Sequence, residues 1–180
     1  RQPADAGDGR RSLAHHPAGL RSGQAASAPR RRGLPPIVDE RARVLILGSF
    51  PSEASLAARH YYAHPQNQFW RLLAAVLDAP LTELDYAAKQ HALRARGVAV
   101  WDVYGLCERE GSLDSAIREA QPNDFSCVTQ IATSLRRVCF NGKTAGRFVR
   151  GFAEQGLETR VLPSSSPAYT LAFADKLAQW

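Results

Sequence analysis

From residue 42 onward, apolar positions fall into short β-rich runs that alternate with stretches of helical spacing. Residues 43–48 (Arg43-Val44-Leu45-Ile46-Leu47-Gly48) form a continuous apolar run closed by Gly, the pattern of a parallel strand buried on both faces. Residues 67–77 repeat apolar positions at helical spacing with Pro80 just beyond, and residues 82–95 set Ala and Leu along one helical face. A second strand is predicted over 97–104, then a short capped helix over 112–119 and another capped by Asp124 and running to Leu135. The third strand, 137–140, leads through Asn141-Gly142 into a helix over 143–154. The fourth, 159–162, stops at Pro163 before a closing helix near 168–179.

Strands alternating with helices predict the α/β class, here a three-layer α/β/α sandwich around a four-stranded, mostly parallel central sheet. In such sheets ligands bind outside the carboxyl ends of the strands. Four segments are delivered to that edge: Gly48-Ser49-Phe50-Pro51-Ser52, Trp101-Asp102, Asn141-Gly142-Lys143 and Pro163-Ser164-Ser165-Ser166-Pro167.

Composition narrows the picture. A chain of 180 residues, 44% hydrophobic and 22% charged, fits one soluble domain, placed at 37–180. No apolar run approaches the ~18 residues that span a bilayer. Three cysteines without CxxC spacing argue against a disulfide scaffold, a zinc ribbon or a four-cysteine cluster, so a reducing, cytoplasmic setting is expected. The net charge of +6 is unevenly placed: residues 1–36 hold seven Arg against two Asp, and the remainder is close to neutral. That Arg/Pro/Gly-rich leader has no aromatic or β-branched residue and is expected to be disordered. It reads either as a solvated tail, or upstream-frame sequence, or as an arm adding salt-sensitive nucleic-acid affinity. The chain begins with Arg and contains no Met, which reads as a missing or mis-called start, and it ends at Trp180 within an expected helix, which is compatible with a truncated C-terminus.

Several chemistries are excluded. No GxGxxG follows a strand, and the GKT of Asn141-Gly142-Lys143-Thr144 lacks the upstream Gly of a phosphate loop and reads as a turn. There is no HExxH or other ligand cluster at metal spacing, and the serines lack a GxSxG elbow or an Asp–His pair for ester chemistry. Two Pro/Ser turns remain, facing each other across the sheet edge, where uncovered N–H groups and hydroxyls suit a phosphate. Between the first strand and its helix, residues 59–70 crowd His, Tyr, Gln and Asn. Aromatic faces stack on bases and amides pair with their edges. Phe69 and Trp70 read as core, while Tyr62 and Asn67, beside the His64-Pro65 turn, read as functional.

Taken together, Gly48-Ser49-Phe50-Pro51-Ser52, His64-Pro65-Gln66-Asn67-Gln68-Phe69-Trp70 and Leu162-Pro163-Ser164-Ser165-Ser166-Pro167-Ala168 resemble the motifs of the uracil-DNA glycosylase superfamily. With WDV, CEREGSLDSAI and CFNGK in the same order, the set is most similar to the hypoxanthine-DNA (deoxyinosine) glycosylase branch, over roughly residues 40–180. The resemblance implies a monofunctional enzyme of base excision repair, without cofactor or metal and without a membrane. It implies hydrolysis of the N-glycosidic bond of a deaminated base flipped from DNA, hypoxanthine before uracil, leaving an abasic site. A monomer is expected, with bacterial-type, nucleoid-associated activity in the cytoplasm.

The resemblance also distributes roles. Tyr62 falls where relatives stack an aromatic ring on the base, and Asp102 where uracil-specific relatives carry a base-reading Asn. A carboxylate accepts hydrogen bonds only, which suits N1–H of hypoxanthine, although capping a nearby turn is an equal reading. Phe50 stands in the base-binding turn where many relatives place the water-activating Asp or Asn. Asn67 is therefore assigned the catalytic role, and His64 either supports the leaving base or shapes the loop. Ser49, Ser52, Ser164, Ser165 and Ser166 are assigned to phosphates, with Ala168 and Tyr169 near the minor groove. A catalytically silent nucleic-acid or nucleotide-binding module on the same sheet is the alternative, favoured by Phe50.

Overall fold

Apolar runs without polar interruption make the centre of this molecule, because strands covered on both faces have no solvent side to mark. The computed structural model describes residues 26–180. In chain order it contains β1 (Arg30–Arg32), β2 (Val44–Gly48), α1 (Glu53–Ala58), α2 (Phe69–Leu77), α3 (Tyr86–Ala95), β3 (Val98–Asp102), β4 (Tyr104–Glu108) and β5 (Arg118–Pro122). There follow α4 (Ser126–Thr129), β6 (Arg137–Asn141), α5 (Lys143–Gly146), α6 (Val149–Ala153), β7 (Glu158–Leu162) and α7 (Phe173–Leu177).

The central sheet has the order β3-β2-β6-β7, and every pairing in it is parallel. The chain passes from β2 to β3 on one side and reappears at β6 on the other, so the crossovers run in opposite directions. Right-handed connections then put α2 and α3 on one face and α5 and α6 on the other. The register aligns Gly48 with Asp102 and Asn141 with Leu162, bringing all four strand ends to one edge at the switch point. All of β3 is buried, whereas β7, at the rim, is exposed at Glu158, Arg160 and Val161.

A second sheet, antiparallel and in the order β1-β4-β5, was not expected. The strand predicted over 97–104 breaks at Val103, where Val103 N–H and Tyr104 N–H donate to the carbonyls of Gly48 and Ser49. Asn123 then locks the departure, its side chain donating to Asp102 O at 2.8 Å and its N–H to Val103 O at 2.8 Å. Gly105 permits this, since a Cβ there would collide with the Asn123 side-chain oxygen. The helix predicted over 112–119 is one 3-10 turn, Asp114–Ala116, followed by β5. Its capping hydroxyl and carboxylate are engaged elsewhere: Ser112 Oγ accepts from Glu53 N–H and Asp114 from Ser49. The helix expected to run from Asp124 to Leu135 keeps only α4, and the one over 143–154 is divided into α5 and α6.

The leader boundary moves as well. Residues 1–25 of the expected disordered leader lie outside the described residues, but β1 pairs with β4, and Leu34 and Ile37 are buried. The Leu34 carbonyl accepts from Trp101 Nε1 and from Tyr61 Oη, both at 3.1 Å, and Ile37 exchanges hydrogen bonds with Val100. Residues 30–36 therefore belong to the fold despite their composition. No helix among the described residues is long and apolar enough to cross a membrane. A chain starting at residue 37 leaves the indole and phenol donors without Leu34. At about 1–3 kcal/mol for each unsatisfied buried group, its urea midpoint should fall well below that of a chain starting at residue 26.

Candidate functional site

At the carboxyl edge of the parallel sheet lies a cleft of about 340 Å³. Its floor is laid by strand ends, and its first condition is a missing side chain. A Cβ on Gly48 would stand 2.5 Å from Asp102 Oδ1 and 2.7 Å from Tyr62 Oη, so only glycine lets those two groups converge. Asn141, ending β6, donates from Nδ2 to Ser165 Oγ at 2.8 Å and to Tyr62 Oη at 3.2 Å, while its Oδ1 accepts from Ser165 N–H at 2.9 Å. One amide thus ties the loop before α2 and the loop after β7 to the sheet.

Every site residue selected from the sequence lines this cleft: Ser49, Phe50, Ser52, Tyr62, His64, Asn67, Asp102, Ser164, Ser165, Ser166 and Tyr169. Tyr62 adopts a left-handed backbone (φ 54°) and stacks on Phe69 with ring centres 3.8 Å apart. Burial, and next the Asp102 charge, raise its phenol above the ordinary range, keeping it neutral. Phe69 and Trp70 are core, as expected. Asn67 Oδ1 accepts from Phe69 N–H at 3.0 Å in an Asx turn that starts α2, and its Nδ2 has no partner among the described residues. His64 Nδ1 accepts from Gln66 N–H at 3.1 Å, so the neutral ring carries its proton on Nε2. Phe50 is buried, with the Arg109 guanidinium 5.0 Å from its ring centre.

The serines divide. Ser164 Oγ accepts from Ser166 N–H and Ser166 Oγ from Ala168 N–H, which leaves both hydroxyl protons available to a ligand. Ser165 is completely buried, its Oγ accepting from Asn141 Nδ2 and its N–H donating to Asn141 Oδ1, so it braces the loop and its hydroxyl is covered. Ser52 caps α1, accepting from Ser55 N–H and donating to Ser55 Oγ. Ser49 donates to Asp114 Oδ1 at 2.6 Å, which puts a carboxylate where a phosphate contact was expected. The phosphate assignment of Ser49 and Ser52 is thus opposed by their own hydrogen bonds, and that of Ser165 by its burial.

Asp102 carries the strongest electrostatic signal. It is buried, and its Oδ2 has no hydrogen-bond partner. Burial first, then repulsion from Asp114, push its carboxyl up to about 7, against a smaller opposing effect of Arg109. The turn-capping reading does not hold for the carboxylate; its own backbone carbonyl is the group that binds Asn123. Sequence reasoning missed Asn141, taken only as part of a turn, and the Ser112–Asp114 wall, taken as helix. A polar residue ending a buried strand was the available signal for Asn141, as it was for Asp102. Among the described residues no three His, Cys, Asp or Glu side chains gather as a metal site.

Comparison with known proteins meets this geometry at the same segments. The uracil DNA glycosylase superfamily model matches residues 35–180, which takes in the whole parallel sheet, β4 and β5 of the second sheet, and every wall of the cleft. The chain belongs to the uracil DNA glycosylase superfamily. Among curated relatives, a protein of Methanosarcina acetivorans named hypoxanthine DNA glycosylase is 39% identical over 83% of this chain and 95% of its own length. One of the same name from Methanosarcina barkeri is 36% identical over 84% and 96%. The solution NMR structure of a candidate uracil DNA glycosylase from M. acetivorans superposes with a TM-score of 0.77 at 38% identity, covering 84% of this chain and 94% of that one.

The raised Asp102 carboxyl has a consequence for stability. An unfolded Asp titrates near ~3.9 and the folded one near 7, so the native state holds the extra proton in that window. Stability should fall as pH rises from about 4 to about 7 and then level. Asp102→Asn removes this contribution, so in urea unfolding its stability relative to wild type should be more favourable at pH 8 than at pH 5.

Proposed function

We propose that this chain is a monofunctional DNA glycosylase of base excision repair that hydrolyses the N-glycosidic bond of deaminated bases, hypoxanthine before uracil. The observation that carries this reading is one cleft in which the Tyr62 ring, the Asn67 amide and the unpaired Asp102 carboxylate converge. Two relatives that match most of the chain are named for hypoxanthine. The substrate is duplex DNA bearing a deaminated base, and the enzyme works as a monomer in the cytoplasm beside the nucleoid.

A base within a duplex is out of reach, and extruding it costs a few kcal/mol, less when it is mispaired as hypoxanthine is with thymine. The Tyr62 ring, backed by Phe69, receives the purine face. The Asp102 carboxylate accepts N1–H of hypoxanthine, a contact adenine cannot make because its N1 bears a lone pair instead. Asn67 Oδ1 is oriented by its bond from Phe69 N–H and keeps a second lone pair with which to hold the attacking water. His64, fixed with Nε2–H outward, steadies negative charge on the departing base. Ser164 and Ser166 donate to phosphates beside the lesion, and Tyr169, 45% exposed, meets the minor groove.

The deciding experiment incubates the full chain with duplexes carrying one deoxyinosine or one deoxyuridine, followed by alkaline cleavage at abasic sites. Deoxyinosine should be cleaved faster; equal rates overturn the hypoxanthine preference, and no cleavage of either leaves a binding module. Asn67→Ala should lower the single-turnover rate by about 100-fold or more while lesion affinity, measured by anisotropy, is kept. Because ionised Asp102 accepts from N1–H more strongly than the protonated acid does, the wild-type rate on deoxyinosine should rise between pH 6 and 8. Asp102→Asn should flatten that profile.

A further inference from the structure

The β4–β5 loop crosses from the second sheet to the cleft and presents Asp114 beside the turn that follows β2. Ser49 Oγ donates to Asp114 Oδ1 at 2.6 Å, which fixes the carboxylate and leaves Oδ2 with no partner among the described residues. The neighbouring turn residue, Phe50, is apolar and buried, and Arg109 lies behind it without lining the cleft. A fixed anion in a cleft meant for DNA repels phosphates, which is unfavourable unless positive charge arises nearby. Breaking a glycosidic bond supplies such a charge on the sugar. The second cleft carboxylate, Asp102, is buried with an unpaired Oδ2, whereas Asp114 is exposed. Two carboxyl groups in different surroundings take different roles.

We infer that Asp114 is a catalytic carboxylate of this cleft, placed to stabilise the cationic deoxyribose and to receive a proton from the attacking water. The inference rests on the glycosylase reading above. The C1′–N9 bond breaks with its electron pair leaving on the purine, which takes a proton from solvent. Water forms the C1′–O bond, and its released proton passes to Asp114 Oδ2 and on to solvent. Exclusion of water by bound DNA strengthens the attraction between carboxylate and sugar cation. Ser49 is a positioning residue that acts through Asp114.

The test uses the full chain, the variants Asp114→Asn and Ser49→Ala, and three duplexes. One carries deoxyinosine; the others carry a stable abasic mimic, either a pyrrolidine, cationic in the ring, or a neutral tetrahydrofuran. Wild type should bind the pyrrolidine duplex at least about tenfold more tightly than the tetrahydrofuran duplex. In Asp114→Asn that preference should vanish, tetrahydrofuran affinity should hold or improve, and single-turnover release of hypoxanthine should fall by about 100-fold. A purely structural tie between loop and turn would leave the preference intact. Cleavage within about threefold of wild type, or a retained preference for the cationic mimic, overturns the inference. Should Asp114→Asn not fold, Ser49→Ala decides: a loss of about tenfold in rate together with a reduced preference supports it, and an unchanged preference overturns it. If wild type itself releases no base, the failure belongs to the glycosylase reading instead.

Discussion

The carboxamide of Asn141 stands at the end of a central strand and bonds at once to Ser165, on the loop after β7, and to Tyr62, on the loop before α2. Loops are the mobile parts of an α/β fold, and a site built from several of them needs a rigid reference. Here the reference is the sheet. Because Asn141 is buried, each of these bonds is costly to leave unmade, which discourages independent motion of the two walls. The Tyr62 ring, its Phe69 backing and the Ser164–Ser166 turn inherit their positions from this amide.

The floor of the cleft stores an unfavourable interaction. Asp102 is buried with one oxygen unpaired, and the cation nearest in effect, Arg109, is itself buried with Nε and Nη1 unpaired, bonding instead to the Pro51 carbonyl. Joined directly, the two would satisfy one another; held apart, each lowers the stability of the empty protein. A fold tolerates this where the unmet group is completed by a ligand, and a purine N–H is the kind of partner Asp102 lacks. Gly48 is the other half of the arrangement, because any side chain there would displace the carboxylate and the phenol together.

Residue type alone does not assign chemistry in this cleft. Five serines line the expected phosphate turns, yet two keep undonated, solvent-reachable hydroxyl protons while the others cap a helix, brace a loop from a buried position or bind a carboxylate. The same holds for the two carboxylates, one dry and one wet. What separates them is burial and hydrogen-bond supply, quantities set by distant parts of the chain.

The sequence by itself determined the parallel sheet, its helical layers and the edge that carries the site. Continuous apolar runs and helical spacing are local patterns that survive any tertiary context. It also determined the cleft residues Tyr62, Asn67 and Asp102, through an ordered set of short motifs at the strand ends. The second sheet was illegible because β1, β4 and β5 carry arginines, glycine and proline without alternation, and they are strands only because each supplies the other's backbone partners. For the same reason Leu34 and its neighbours, composed like a disordered tail, are held by two buried donors far along the chain. Tertiary structure alone decided which hydroxyls remain free and that Asp114 faces the cleft, since a hydrogen bond between residues 65 positions apart leaves no trace in local pattern.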